Sequence, residues 1–294
     1  MMFRLSRFFL PGVFLCALMP FSVTCAEPIK LMLLDGQNNH KWQETSPILQ
    51  RILQASGRFQ VDVVTSPPAS APADEYRAFD PKFSEYAAVL MNWNDYGVKN
   101  PILPAWMDRL IAYTESGGGL VLHHAAGLEY HPGFADVVGL LWQKADFGCC
   151  ITLDATGNVV RRPKGEGTAT GHGQRFEYPL TLWSDVHPIT VGMPRQWRHT
   201  EDEAWFSQRG PALGLEILAT AVAPETQANE PMVWTRQHGQ GRVVVNRLGH
   251  DAKAMACQGF RALLIRSCEW AATGQASQPL PQPFPQADAT AVAP

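Results

Sequence analysis

Residues Gly117 to Gly127 read GGGLVLHHAAG, and this stretch decides the fold. The glycines end a preceding helix pattern, Pro104 to Ser116, in which Met107, Leu110, Ile111 and Thr114 lie along one side. Leu120-Val121-Leu122 is then a short apolar run, as expected of a strand covered on both faces, and it delivers His123 and His124 to its carboxyl end.

Working outward, the same rhythm recurs. Pro28 to Asp35 (PIKLMLLD) reads as a buried first strand ending at Gly36. Ser46-Pro47 is a helix start, with Ile48, Leu49, Ile52 and Leu53 as its stripe and Gly57 as its stop. Phe59 to Thr65 and Tyr86 to Asn92 are further strands, separated by a Pro/Ala-rich loop at 67–73. Downstream, Glu216 to Val222, Pro231 to Gln237 and Arg242 to Arg247 are strand-like, the last two joined as a hairpin by Gly239 and Gly241. A closing helix runs from Gly259 to Thr273. Strands alternating with helices imply an α/β fold with a mostly parallel sheet and helices on both faces, with ligands gathered at the carboxyl ends of the strands. The glycine-rich stretch from Lys144 to Tyr178 is an excursion from that fold, too short for a core of its own.

The chain has 294 residues, 46% of them apolar, and a formal charge of -3, which gives no general attraction to nucleic acid or an anionic membrane. Arg4 and Arg7 precede an apolar run from Phe8 to Val23, broken by prolines and followed by Thr24-Cys25-Ala26. This is the pattern of a secretory signal over residues 1–26, with a periplasmic or secreted destination and no membrane span after cleavage. Acylation at Cys25 is the weaker alternative. The globular part is expected over 27–274, and 275–294, rich in proline and alanine, as a disordered tail. Export makes pairing among Cys149, Cys150, Cys257 and Cys268 feasible, and four free thiols are the equal alternative.

Four clusters carry residues suited to chemistry. His40 follows the first strand in the polar loop Asn38-Asn39-His40-Lys41-Trp42, where an imidazole can bind a metal or relay a proton. His123 and His124 are neighbours pointing to opposite faces of the strand, so only one serves a site. His124, nearer the strand end, is preferred, and His123 is read as a buried, hydrogen-bonded histidine. Arg198 to Glu203 sets three carboxylates beside a histidine, and Asp202 and Glu203 are the candidate catalytic acids, Glu201 facing solvent. His250 follows the last core strand, with Asp251 either orienting its ring or capping a helix. Trp42, Trp93 and Trp205 adjoin these loops as surfaces for a sugar ring, and His172 and Arg175 in the excursion are candidate ligand contacts.

Taken in order, several of these pieces resemble the ThuA-like, trehalose-utilisation family. They include Gly36 through His40 with Trp42, Gly118 through His124, His187-Pro188-Ile189-Thr190, Thr200 through Glu203, Glu230 through Trp234, Leu248-Gly249-His250 and Glu269-Trp270-Ala271. The resemblance spans nearly the whole mature chain. It implies a flavodoxin-like, class I glutamine amidotransferase-like sheet, but the turn that holds the amidotransferase cysteine holds His123-His124 here, so glutamine hydrolysis is not expected. It implies instead a part in disaccharide catabolism, by hydrolysis or isomerisation of a glycoside or of a 3-keto-sugar made by a partner dehydrogenase. A divalent metal on His40, His124 and His250 is expected, zinc suiting imidazole ligands best. A carbohydrate-binding module without turnover is the alternative.

Overall fold

The structure is a computed structural model and describes residues 27–96 and 105–293. The expected signal segment lies outside the described residues. In chain order the first half comprises β1 (Ile29–Asp35), α1 (Trp42–Ala55), β2 (Phe59–Thr65), α2 (Ala73–Ala78), β3 (Ala88–Met91), α3 (Trp106–Glu115), β4 (Gly119–His123) and α4 (Phe134–Val138). The excursion and the segment after it form β5 (Cys150–Leu153), β6 (Val159–Arg162), β7 (Gly171–His172), β8 (Phe176–Leu182), β9 (Gln196–Asp202) and β10 (Trp205–Phe206). The chain closes with β11 (Leu215–Ala223), β12 (Ala228–His238), β13 (Gly241–Asn246), α5 (Ala252–Met255) and α6 (Gln258–Thr273).

The main sheet runs β2-β1-β3-β4-β13-β12-β11-β8-β9. From β2 to β13 every neighbour is parallel, and from β13 outward every neighbour is antiparallel. The parallel part is covered on both sides, which is why Leu31 through Leu34 form an unbroken apolar run, each fully buried. Leu31 and Leu33 pack with α1 and α6, while Met32 and Leu34 pack with α2, α3 and α4. The chain leaves β1 toward β2 and returns to β3 on the other side of β1. Crevices open at the carboxyl ends of strands where the winding reverses in this way.

Three expectations need correction. The first helix begins at Trp42, not at Ser46-Pro47; Ser46 is buried inside it and its hydroxyl accepts a hydrogen bond from the Asn92 side chain at 3.0 Å. The excursion contributes paired strands, β5 joining β12 and β7 joining β10, so it is part of the sheet system. Residues 275–293 are docked, not disordered. Phe284 packs on Trp197, the Arg198 amide donates to the Gln286 carbonyl at 2.8 Å, and the Gln258 amide donates to Ala291 at 2.8 Å. Cys149, Cys150, Cys257 and Cys268 are all free thiols. Among the described residues, no helix is long and apolar enough to cross a membrane.

Candidate functional site

Four loops meet at the carboxyl edge of the parallel strands. The loop after β1 brings His40, the turn after β4 brings His124, the segment between β9 and β10 brings Glu203, and the loop after β13 brings His250. One ligand atom from each lies within 4.8 Å of the others. The imidazole rings stand nearly perpendicular to one another, with centroids 4.7 Å apart for His40 and His124, 4.8 Å for His40 and His250, and 5.2 Å for His124 and His250.

The local backbone explains the convergence. His124 sits at φ 48°, so the strand ends abruptly there and the ring turns into the crevice while His123 packs against Phe260 on the other side. Gly249, at φ 93°, makes the equivalent turn before His250, and a Cβ there would lie 2.5 Å from the Phe260 ring.

Hydrogen bonds aim the nitrogens. Nδ1 of His124 donates to the Arg247 carbonyl at 2.9 Å, which leaves Nε2 buried, without a protein partner among the described residues, 3.5 Å from Glu203 Oε2. Nδ1 of His40 is held by the side-chain oxygens of Asn38 and Asn39 at 3.3 and 3.1 Å, and those oxygens are fixed in turn by the Asn94 amide. In both rings the outer nitrogen carries the proton, and Nε2 is the free lone pair. Metal-binding histidines are commonly set this way. His250 Nε2 stands 3.2 Å from Glu203 Oε1. Burial, aided by neighbouring imidazoles, lowers the His40 pKa to about 4 and holds His124 well below its ordinary value. Both rings are therefore neutral at pH 7, the form that ligates metal. Burial raises the Glu203 pKa against the opposing pull of His250 and His172.

The other candidates divide. His172 lines the same cavity, its Nε2 3.6 Å from Glu203 Oε1, because β7 pairs it directly opposite Trp205. Trp205 forms a wall and donates from its indole to Glu203 Oε2 at 3.1 Å. Arg175 pairs with Asp251 in an adjoining groove that also touches His40 and His250. Trp42 lines neither space, being half-buried at the start of α1, and neither does Trp93, which is fully buried and donates to the Ser66 hydroxyl at 2.8 Å. Asp202, expected as a catalytic acid, is fully buried and committed. Its oxygens accept from His199 Nε2 at 2.8 Å and from the amides of Glu203, Gly249 and His250 at 2.8, 2.6 and 3.2 Å. It shapes the loop that carries His250 and does not face the cavity. Asp251 caps α5, accepting from Lys253 and Ala254, and stays 3.6 Å from His250 Nδ1. His123 is buried, but its Nδ1 has no hydrogen-bond partner among the described residues. Glu201 is half-exposed and pairs with Lys253.

Four cavity residues escaped the sequence reading. Trp142, Tyr96 and Glu129 line the cavity with Asn94. Trp142 sits edge-on to Trp205 with centroids 4.8 Å apart, giving an aromatic wall beside the imidazoles. Asn94 follows β3 within Asn92-Trp93-Asn94-Asp95, a polar cluster directly after a buried strand, and that placement was the available signal.

Comparison with known proteins identifies the family. The family model described as trehalose utilisation matches residues 30–271. A ThuA-like protein from Parabacteroides merdae, solved by crystallography, is 34% identical, with a TM-score of 0.83 over 91% of this chain and 98% of the other. A ThuA-like protein from Bacteroides uniformis shares the fold at 16% identity and a TM-score of 0.57, over 87% of this chain and 97% of the other. No curated protein matches the chain. With its flavodoxin-like parallel strands and its match over nearly all described residues, the chain belongs to the ThuA-like, trehalose-utilisation family.

Proposed function

We propose that the protein is an exported enzyme that cleaves or isomerises a glycoside, most directly a 3-keto-sugar of disaccharide catabolism, at a divalent metal held by His40, His124 and His250. One observation carries this reading: three imidazoles and the Glu203 carboxylate converge within 4.8 Å beside an aromatic cavity. Three imidazoles suit zinc with a coordination position left open. A divalent ion there would supply Lewis acidity to a keto oxygen or to water. Glu203 stands next to that position as the general base, its carboxyl shielded from solvent and steadied by the Trp205 indole. Trp205, Trp142 and Tyr96 offer ring faces and edges to the apolar side of a sugar, and His172 closes the cavity over Glu203. Arg175 borders the adjoining groove, where it meets polar groups of a longer ligand. A keto-sugar has to come from oxidation of a sugar hydroxyl, so a sugar dehydrogenase is the partner class that supplies it.

Metal analysis of the purified protein tests the centre, and mass spectrometry after incubation with disaccharides and their 3-keto forms tests the reaction. Stoichiometric metal lost in H40A and H250A, together with a new product, supports the reading. Metal-free protein with full activity refutes the centre. Sugar binding that weakens in H124A without any turnover in the wild type would make the domain a binding module.

A further inference from the structure

Glu129 lines the same cavity as His40, Glu203 and Trp205, and the metal-centred chemistry leaves it unused. It follows the His124 turn, and its side chain folds back over Gly127, where a Cβ would come within 2.6 Å of Oε1. Asp95 arrives from the end of β3 and is 1% exposed. Its Oδ1 accepts the Glu129 amide at 2.8 Å and its Oδ2 accepts the Tyr130 amide at 3.1 Å, and a side-chain hydrogen bond joins the Asp95 and Glu129 carboxyl groups. Oε2 of Glu129 is buried without a hydrogen-bond partner among the described residues.

Arg247 faces Glu129 and favours its ionisation, but its guanidinium makes its hydrogen bonds to Gln208 Oε1 and to the carbonyls of His124, Ala126 and Leu140, and burial with the Asp95 contact outweighs it. The other groups facing the pair are the phenols of Tyr76, Tyr96 and Tyr130, and burial beside Asp95 raises the pKa of Tyr76 and Tyr130. Two touching carboxyls in such a place cannot both ionise, so one proton stays. Both Asp95 oxygens accept backbone amides, which favours its carboxylate, and the proton therefore resides on Glu129. Glycoside cleavage uses a neutral carboxylic acid and a separate carboxylate on either side of the scissile bond, and Glu129 shares its cavity with Glu203.

We propose that Asp95 and Glu129 hold a single proton between them and that Glu129 delivers it to the leaving oxygen of a glycoside cleaved in this cavity. The proposal rests on the reading of the site as a glycoside-cleaving centre. When the bond from the sugar carbon to the leaving oxygen breaks, its electron pair goes to that oxygen, which takes the Glu129 proton. The water that adds to the sugar carbon gives a proton to Glu203. Glu203 then returns a proton to solvent and Glu129 takes one back. Asp95 is a positioning residue: it orients Glu129 and keeps it protonated.

The test compares wild type and E129Q, with metal content measured in both, on two probes: 3-keto-trehalose, whose leaving group needs protonation, and 4-nitrophenyl 3-keto-α-glucoside, whose leaving group does not. E129Q is expected to keep its metal, to lose about 100-fold or more in kcat on the first probe, and to lose less than about tenfold on the second. Equal losses on both probes, or none on either, overturn the assignment. Independently of turnover, the infrared spectrum of the wild type at pH 7 should contain a protonated-carboxyl band that is absent from E129Q. Absence of that band in the wild type also overturns it, even where E129Q fails to fold. A wild type that cleaves neither probe removes the underlying reading and this proposal with it, whereas cleavage of both by wild type and E129Q alike removes this proposal alone.

Discussion

His124 and Arg247 bond to each other twice: the His124 ring donates to the Arg247 carbonyl at 2.9 Å, and the Arg247 guanidinium donates to the His124 carbonyl at 2.7 Å. The guanidinium is fully buried, so it holds the turn after β4 rigidly at the φ of 48° that aims the imidazole. Removing it in R247M leaves the carbonyls of His124, Ala126 and Leu140 without these donors, each at a cost of about 1–3 kcal/mol. R247M is expected to unfold at markedly lower denaturant and to bind zinc about 10–100-fold more weakly. Calorimetric titration of a folded R247M that binds zinc as tightly as the wild type would show that the turn does not need this support.

Asp202 separates support from chemistry. D202N keeps the shape but replaces one acceptor oxygen by a donor, which opposes the amides or the His199 Nε2 now bonded there. The loop carrying His250 should loosen, and metal affinity should fall. Activity is expected to recover when metal is supplied in excess, since no reacting group has been lost. Activity that stays low at saturating metal would place Asp202 in the reaction itself.

The fold was legible where burial is two-sided. The runs Leu31–Leu34, Leu120–Leu122 and Val243–Val245 are apolar throughout because helices cover both faces, and their carboxyl ends pointed to His40, His124 and His250 before any geometry was known. On the antiparallel flank β11, β12 and the hairpin from β12 into β13 were legible as alternating or apolar runs, but β8 and β9 were not. In β9, Gln196-Trp197-Arg198-His199-Thr200-Glu201-Asp202, the buried positions include His199, Thr200 and Asp202, which satisfy one another or nearby backbone and so carry no hydrophobic signal. Trp42 was misjudged because adjacency in sequence to His40 says nothing about direction once a helix starts at that residue. Glu129 and Asp95 were missed because their meeting depends on two loops from different strands.

Glu230 predicts a pH dependence of stability. It is 1% exposed and accepts from the Ser207 amide at 3.0 Å and the Thr226 hydroxyl at 2.8 Å. Burial outweighs those bonds and raises its pKa from 4.5 to about 7. A carboxyl whose folded pKa lies above the unfolded one binds more protons when folded, so its contribution is fully present below pH 4.5 and is lost as pH rises through about 7. The loss amounts to about 3 kcal/mol. E230Q, which cannot ionise, should flatten this slope: urea unfolding at pH 5 and pH 8 should differ less for E230Q than for the wild type. Identical slopes would remove Glu230 as the cause.

The docked tail gives the last prediction. Phe284 is 6% exposed and lies against Trp197, centroids 5.8 Å apart, on the face of the sheet that α6 covers. Arg266 of α6 donates to the Gln278 carbonyl at 2.9 Å and to the Val191 carbonyl at 2.7 Å, so tail, helix and the turn before β9 are tied together. A loosely attached tail would tolerate F284A without cost. A docked one loses a buried aromatic and leaves a cavity over Trp197, and large-to-small changes of this kind cost about 3–5 kcal/mol. Trp197 adjoins His199, which bonds to Asp202 and so reaches the loop of His250. F284A is therefore expected to lower the unfolding midpoint substantially and to weaken metal retention as a secondary effect. Unchanged stability in F284A would mean that residues 275–293 dock without contributing to the fold.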